Sequence, residues 1–141
     1  MNTDPILHNI QHHNEYPDYL AWMAAINGLT QAQVIEKLTP DLLIGGYCED
    51  FGTYFAYKYD VPMYFLSKLH NLIVYKGRYY DGYNIDGVDH LKDLEYVKRD
   101  SRVSDWSEEQ LQASLVLDDG WKTYPVFTER FYLIEKMSQT K

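Results

Sequence analysis

The spacing of apolar residues changes character along the chain. From Pro17 to about Asn27, Tyr19, Trp22, Met23 and Ile26 fall on one helical stripe, with Pro17 suited to a first turn and Gly28 to a stop. Thr30, followed three residues later by Gln33, has capping-box form and predicts a second helix through about Leu38. Pro40 begins a connection to Gly45-Gly46. Cys48, Phe51, Phe55 and Tyr59 then share one helical face, and Pro62 ends that run. Beyond it the pattern turns extended. Met63–Leu66, Leu69–Tyr75 and Arg78–Tyr83 read as strands, with Lys76-Gly77 as a two-residue turn. Asp89–Arg99 reads as a short helix with Leu91, Leu94 and Val97 inward. Ser104, with Ser107-Glu108-Glu109 behind it, begins another through about Ala113. Leu115–Leu117 reads as a strand, Asp118-Asp119-Gly120 as a turn and Phe127–Met137 as a closing helix or strand, with Glu129, Arg130, Glu135 and Lys136 favouring helix. The class this predicts is α+β: N-terminal helices followed by a small antiparallel sheet. No repeat, low-complexity tract or linker divides the chain, so residues 1–141 read as a single domain, with a loose polar segment over residues 1–15.

Composition narrows the functional classes. The chain has 141 residues and a formal net charge of −8, with a pI near 4.9. Direct nucleic-acid binding leaves a basic footprint, so it is not expected; a basic protein partner is compatible with this charge. The fourteen tyrosines suit half-buried surfaces and interfaces. A single cysteine excludes an internal disulfide framework and a cysteine-based zinc site. No apolar run approaches the roughly 18 residues of a membrane span, and the N-terminus lacks the pattern of a signal peptide. A cytoplasmic protein, without membrane association, is the expectation.

The candidate chemistry centres on that cysteine. Cys48 at a helix start feels the positive end of the helix dipole, which favours a thiolate. Glu49 and Asp50 act against it, since their charges disfavour a nearby anion. A thiol nucleophile also needs a base, and the base needs a group to orient it. If Lys76-Gly77 is the turn, Tyr75 lies opposite Arg78, Leu72 opposite Asp81 and His70 opposite Tyr83. His70 and Asp81 then share a face as diagonal neighbours, about 7–8 Å apart at the backbone. That separation lets an aspartate hold an imidazole. Taken singly, each of the three also has a structural reading: Cys48 as a small buried hydrophobe, His70 as a satisfied core group, Asp81 as a strand-end cap. His90 and Asp86 are second choices, in an exposed helical turn and a loop. His8 and His12 have the spacing of two metal ligands on one helix face, with His13 beside them, but nothing completes the set. No metal and no cofactor is expected.

Gly46-Tyr47-Cys48 at a helix start, the apolar helix Phe51–Tyr59, the break at Asp60-Val61-Pro62, Leu69-His70 and Tyr79-Tyr80-Asp81 follow one another in a recognisable order. Over residues 45–87 the chain resembles the transglutaminase-like branch of the papain-like cysteine enzymes. The resemblance implies a papain-like core with Cys48 as nucleophile, His70 as general base and acid, and Asp81 as the orienting group. It implies attack on a peptide or protein amide through an acyl-thioenzyme, giving hydrolysis, deamidation or amine transfer. Tyr47, Gln33 and Asn71 are the candidates to complete an oxyanion or substrate site around the Cys48 backbone N–H. The competing expectation is a non-catalytic acidic protein on the same fold that binds or inhibits a basic partner.

Overall fold

The computed structural model describes residues 4–37 and 48–118. They belong to two compact units, one containing residues 4–37 and the other residues 48–118. The predicted turn at Asp119-Gly120, the closing helix at Phe127–Met137 and Tyr47 lie outside the described residues.

The first unit is helical. Its α1 spans Pro5–Gln11, α2 spans Pro17–Asn27 and α3 spans Gln31–Lys37. A 3-10 turn, His13–Glu15, links α1 to α2. Within the segment expected to be loose, residues 5–15 form helical turns, and the reason is local. The Asp4 carboxylate accepts from the Ile6 and Leu7 amides, and Pro5 occupies the first turn, where its missing N–H costs nothing. Ile10 and His13 are buried. In α2 the apolar stripe is wider than its spacing indicates, since Leu20 and Ala24 are buried along with Tyr19, Trp22 and Met23. The capping box of α3 forms as read: Gln33 N–H donates to the Thr30 hydroxyl, and the Gln33 amide oxygen accepts from Thr30 N–H.

The second unit is α+β. It opens with α4, Cys48–Tyr59, followed by β1, Met63–Leu66, β2, His70–Tyr75, and β3, Arg78–Tyr80. A helical turn at Leu91–Asp93 precedes α5, Glu95–Arg99, and α6, Glu108–Ala113. The last strand is β4, Leu115–Leu117. The sheet is antiparallel, in the order β3-β2-β1-β4. The β2–β3 register is the one the sequence predicts: Tyr75 faces Arg78 and Ile73 faces Tyr80. Lys76 and Gly77 both take positive φ, 50° and 78°, as a twisted two-residue turn demands.

Side-chain alternation divides the sheet into two faces. Leu66 and Leu72 point into a core built with Leu91, Leu94, Val97, Val103 and Leu111. Met63 and Asn71 point to α4. A Cβ on Gly52 of α4 would run into the Met63 sulfur, so this glycine lets the helix seat closely on β1 and β2. Four elements differ from the sequence reading. Leu69 belongs to the tight link before β2, where Ser67 and Lys68 take φ of 53° and 59°. β3 stops at Tyr80 because the Asp81 carboxylate accepts from the Tyr83 and Asn84 amides and turns the chain away. The helix expected over Asp89–Arg99 is broken at Leu94. Both halves have their free amides met by distant side chains: Glu108 accepts from Leu91 and Lys92, and Asn84 accepts from Glu95. α6 begins at Glu108, with Ser107 and Gln110 forming its capping box. Among the described residues no helix is long and apolar enough to cross a membrane.

Candidate active site

Cys48 is the first residue of α4 and His70 the first residue of β2. α4 packs on β1 and β2, and its first residue brings the Cys48 sulfur to 4.0 Å from Asn71, the residue after His70. Asp81 follows directly on β3, and the register carries it to the same face as His70 and Leu72. The His70 Nε2–H donates to Asp81 Oδ2 at 2.8 Å, and both side chains are fully buried. A carboxylate only accepts, so this bond fixes the tautomer with the proton on Nε2. The second carboxylate oxygen, Oδ1, accepts from Tyr83 N–H at 3.0 Å and Asn84 N–H at 2.6 Å. Asp81 is thus held on both oxygens and offers His70 a fixed acceptor.

The other imidazole nitrogen, Nδ1, is buried without a hydrogen-bond partner of its own. The Cys48 thiol and the His70 imidazole interact, and each shifts the titration of the other. Burial works against the thiolate, but the interaction with His70, its charge and nearby backbone amides outweigh burial and lower the Cys48 pKa. Burial likewise works against an imidazolium. Asp81 first, and Cys48 with it, overcome that and raise His70 to about 9. Both shifts run in the direction of a thiolate beside an imidazolium, although Cys48 is only 8% exposed.

Two further contacts complete the surroundings. Asn71 donates through Nδ2 to Asp118 Oδ2 at 2.9 Å, which turns its Oδ1 toward the Cys48 sulfur at 4.0 Å. Held this way, Asn71 presents an acceptor and not the donor that an oxyanion site needs. On the face of the imidazole lies Tyr96 from α5, with ring centroids 4.1 Å apart and the planes within 7°.

The remaining sequence candidates sit in local surroundings of their own. The Gln33 amide oxygen is engaged in the cap of its own helix. His90 and Asp86 are exposed, with His90 capping the helical turn at Leu91. His8 of α1 and His12 at its C-cap are exposed, with ring centroids 4.6 Å apart and the planes tilted by 34°, while His13 is buried with its Nδ1 bonded to the Ile10 carbonyl. Among the described residues no group of three or more histidine, cysteine, aspartate or glutamate side chains is arranged to hold a metal ion. Sequence reasoning did not find Tyr96, Asn84 or Asp118. Asn84 lay in a stretch legible only as a turn, and nothing in the spacing of Tyr96 marks a partner twenty-six residues upstream.

No protein-family model, no curated protein and no solved structure matches the chain.

Proposed function

We propose that this protein is a thiol enzyme acting on an amide bond of a peptide or protein, with Cys48 as nucleophile, His70 as base and acid, and Asp81 as the group that orients His70. The observation that carries this reading is the fully buried His70–Asp81 hydrogen bond of 2.8 Å, which leaves the opposite imidazole nitrogen to the Cys48 thiol. A buried ion pair with no task is expensive to keep, because both groups lose their hydration. An oriented imidazole beside a thiol at a helix N-terminus is what nucleophilic catalysis requires. The order of cysteine on a helix, then histidine on one strand and aspartate directly after the neighbouring antiparallel strand, resembles that of the transglutaminase-like and papain-like enzymes, and we propose that core for residues 48–81.

The chemistry follows from the geometry. The Cys48 proton passes to His70 Nδ1, and the thiolate attacks the amide carbonyl carbon. An S–C bond forms, and the carbonyl electrons move onto oxygen, toward the Cys48 backbone N–H at the start of α4. The oxyanion collapses, the C–N bond breaks, and the imidazolium returns its proton to the leaving nitrogen. The acyl-thioenzyme is then resolved by water, which gives hydrolysis or deamidation, or by an amine, which gives transfer. Asp81 keeps the imidazole in one tautomer and one plane through both proton transfers.

The test is the rate of Cys48 alkylation against pH in the natural protein and in His70→Ala. Fast labelling well below the ordinary thiol pKa of about 8.5, abolished in His70→Ala, is the expected result and justifies a screen of amide substrates with Cys48→Ala as control. Slow labelling that follows an ordinary thiol and is unchanged in His70→Ala would overturn the reading. It would leave the acidic chain as a binding protein for a basic partner.

A further inference from the structure

The His70 imidazole is held at its edge by Asp81, but its plane is set by another residue. We propose that Tyr96 is a positioning residue of the thiol–imidazole pair, whose ring fixes the plane of His70 and favours its charged form. The inference rests on the catalytic reading of Cys48 given above.

The stack is close and nearly parallel, with centroids 4.1 Å apart and an interplanar angle of 7°. The electron-rich face of an aromatic ring attracts a cation lying over it, so this contact favours imidazolium over imidazole. The phenol strengthens the effect. Its O–H donates to Asp100 Oδ2 at 2.6 Å, which draws negative charge toward the ring. Burial and that carboxylate both push the phenol above its ordinary range, so the ring stays neutral. Asp100 is itself pinned by Arg102, through Nε at 3.0 Å and Nη2 at 2.7 Å.

The position of Tyr96 is also tied to Asp81. Asn84 N–H donates to Asp81 Oδ1, while the Asn84 side-chain oxygen accepts from Glu95 N–H, one residue before Tyr96. One residue thus joins the carboxylate at the imidazole edge to the helix that supplies its face. The titratable groups against the imidazole are the Asp81 carboxylate and the Cys48 thiol. Asp100 and Arg102 face the phenol end of Tyr96, where their opposite charges offset each other.

The experiment measures the His70 imidazole pKa by nuclear magnetic resonance of ring-labelled histidine, together with the pH profile of Cys48 alkylation. The His70 signal is identified by its loss in His70→Gln. Tyr96→Leu removes the aromatic face and is expected to lower the His70 proton affinity about tenfold, with a matching fall of the upper step in the alkylation profile. Tyr96→Phe keeps the ring and is expected to stay within about threefold of the natural protein. Leu94→Ala, in the same core but off the imidazole, is expected to lower Tm and leave both steps in place. Should Tyr96→Leu not fold, pentafluorophenylalanine at position 96 keeps the ring and reverses the charge of its face; it is expected to lower the His70 proton affinity relative to Tyr96→Phe. An unmoved His70 in the ring-altered protein, or an equal shift in Leu94→Ala, overturns the inference while the catalytic reading stands. A natural protein whose His70 titrates as an ordinary histidine and whose Cys48 labels as an ordinary thiol overturns both.

Discussion

Two histidines are buried among the described residues, and their side chains are held in different ways. His13 bonds through Nδ1 to the Ile10 carbonyl, three residues back near the end of α1, and its ring meets the edge of Tyr19 at 5.5 Å. His70 bonds to a carboxylate eleven residues away, across a hairpin, and its other nitrogen is left to a thiol. Both are hidden from solvent, so burial alone does not separate a structural histidine from a chemical one. The partner does. A carbonyl is neutral whatever the pH, while a buried carboxylate stabilises the positive charge that a proton-transfer step creates.

The largest expected effect tests the charged side of this contrast. Asp81→Ala removes the acceptor of His70 and, with it, the acceptor of the Tyr83 and Asn84 amides. Breaking a fully buried pair from one side costs about 3–5 kcal/mol. Urea unfolding at neutral pH measures it. A loss below about 1 kcal/mol, in the range of an ordinary neutral hydrogen bond, would erase the distinction between His70 and His13.

A smaller effect sharpens the comparison through pH. His70 rises in the fold from about 6.5 to about 9. Its contribution to stability is fully present below about 6.5, declines above it and is gone once pH passes about 9. A shift of this size corresponds to roughly 3 kcal/mol. Cys48 is lowered in the fold, so its contribution has the opposite sense. It is fully present above the unfolded thiol value of about 8.5 and is lost as pH falls through the lowered folded value. The two changes therefore oppose each other. The natural protein is expected to lose less stability between pH 6.5 and 9 than the His70 shift alone would remove. Cys48→Ala removes the opposing half and leaves a decline with rising pH, smaller than 3 kcal/mol because Cys48 supplies part of the His70 shift. Urea midpoints at pH 6, 7.5 and 9 measure both proteins. A natural protein that declines as steeply as Cys48→Ala contains no thiolate.

The contrast between the two histidines also marks what the sequence can express. The β2–β3 register was legible because Lys76-Gly77 admits a two-residue turn and strand alternation then fixes parity at His70 and Asp81. The helix at Cys48 was legible from the spacing of Phe51 and Phe55 and from its stop at Pro62. Both depend on neighbours along the chain. The order in residues 5–15 was written in Asp4-Pro5, a cap followed by a first-turn proline, but its polar composition hid it. The break at Leu94 and the stack of Tyr96 on His70 were not legible. They depend on Glu108 and Asn84 meeting free amides from a distance, and local periodicity carries no trace of such partners.

The smallest effect is expected at the other histidine. His13→Gln keeps a side chain able to donate to the Ile10 carbonyl and gives up the ring contact with Tyr19. A neutral hydrogen bond contributes about 1 kcal/mol, and an edge-on aromatic contact a similar amount. The Gln retains part of the first and loses the second, so the expected cost is about 1 kcal/mol in urea unfolding. The Cys48 labelling profile is expected to be unchanged. A cost of about 3 kcal/mol or more, the size expected for breaking the buried pair at His70, would put the two histidines in one class and remove the contrast between them.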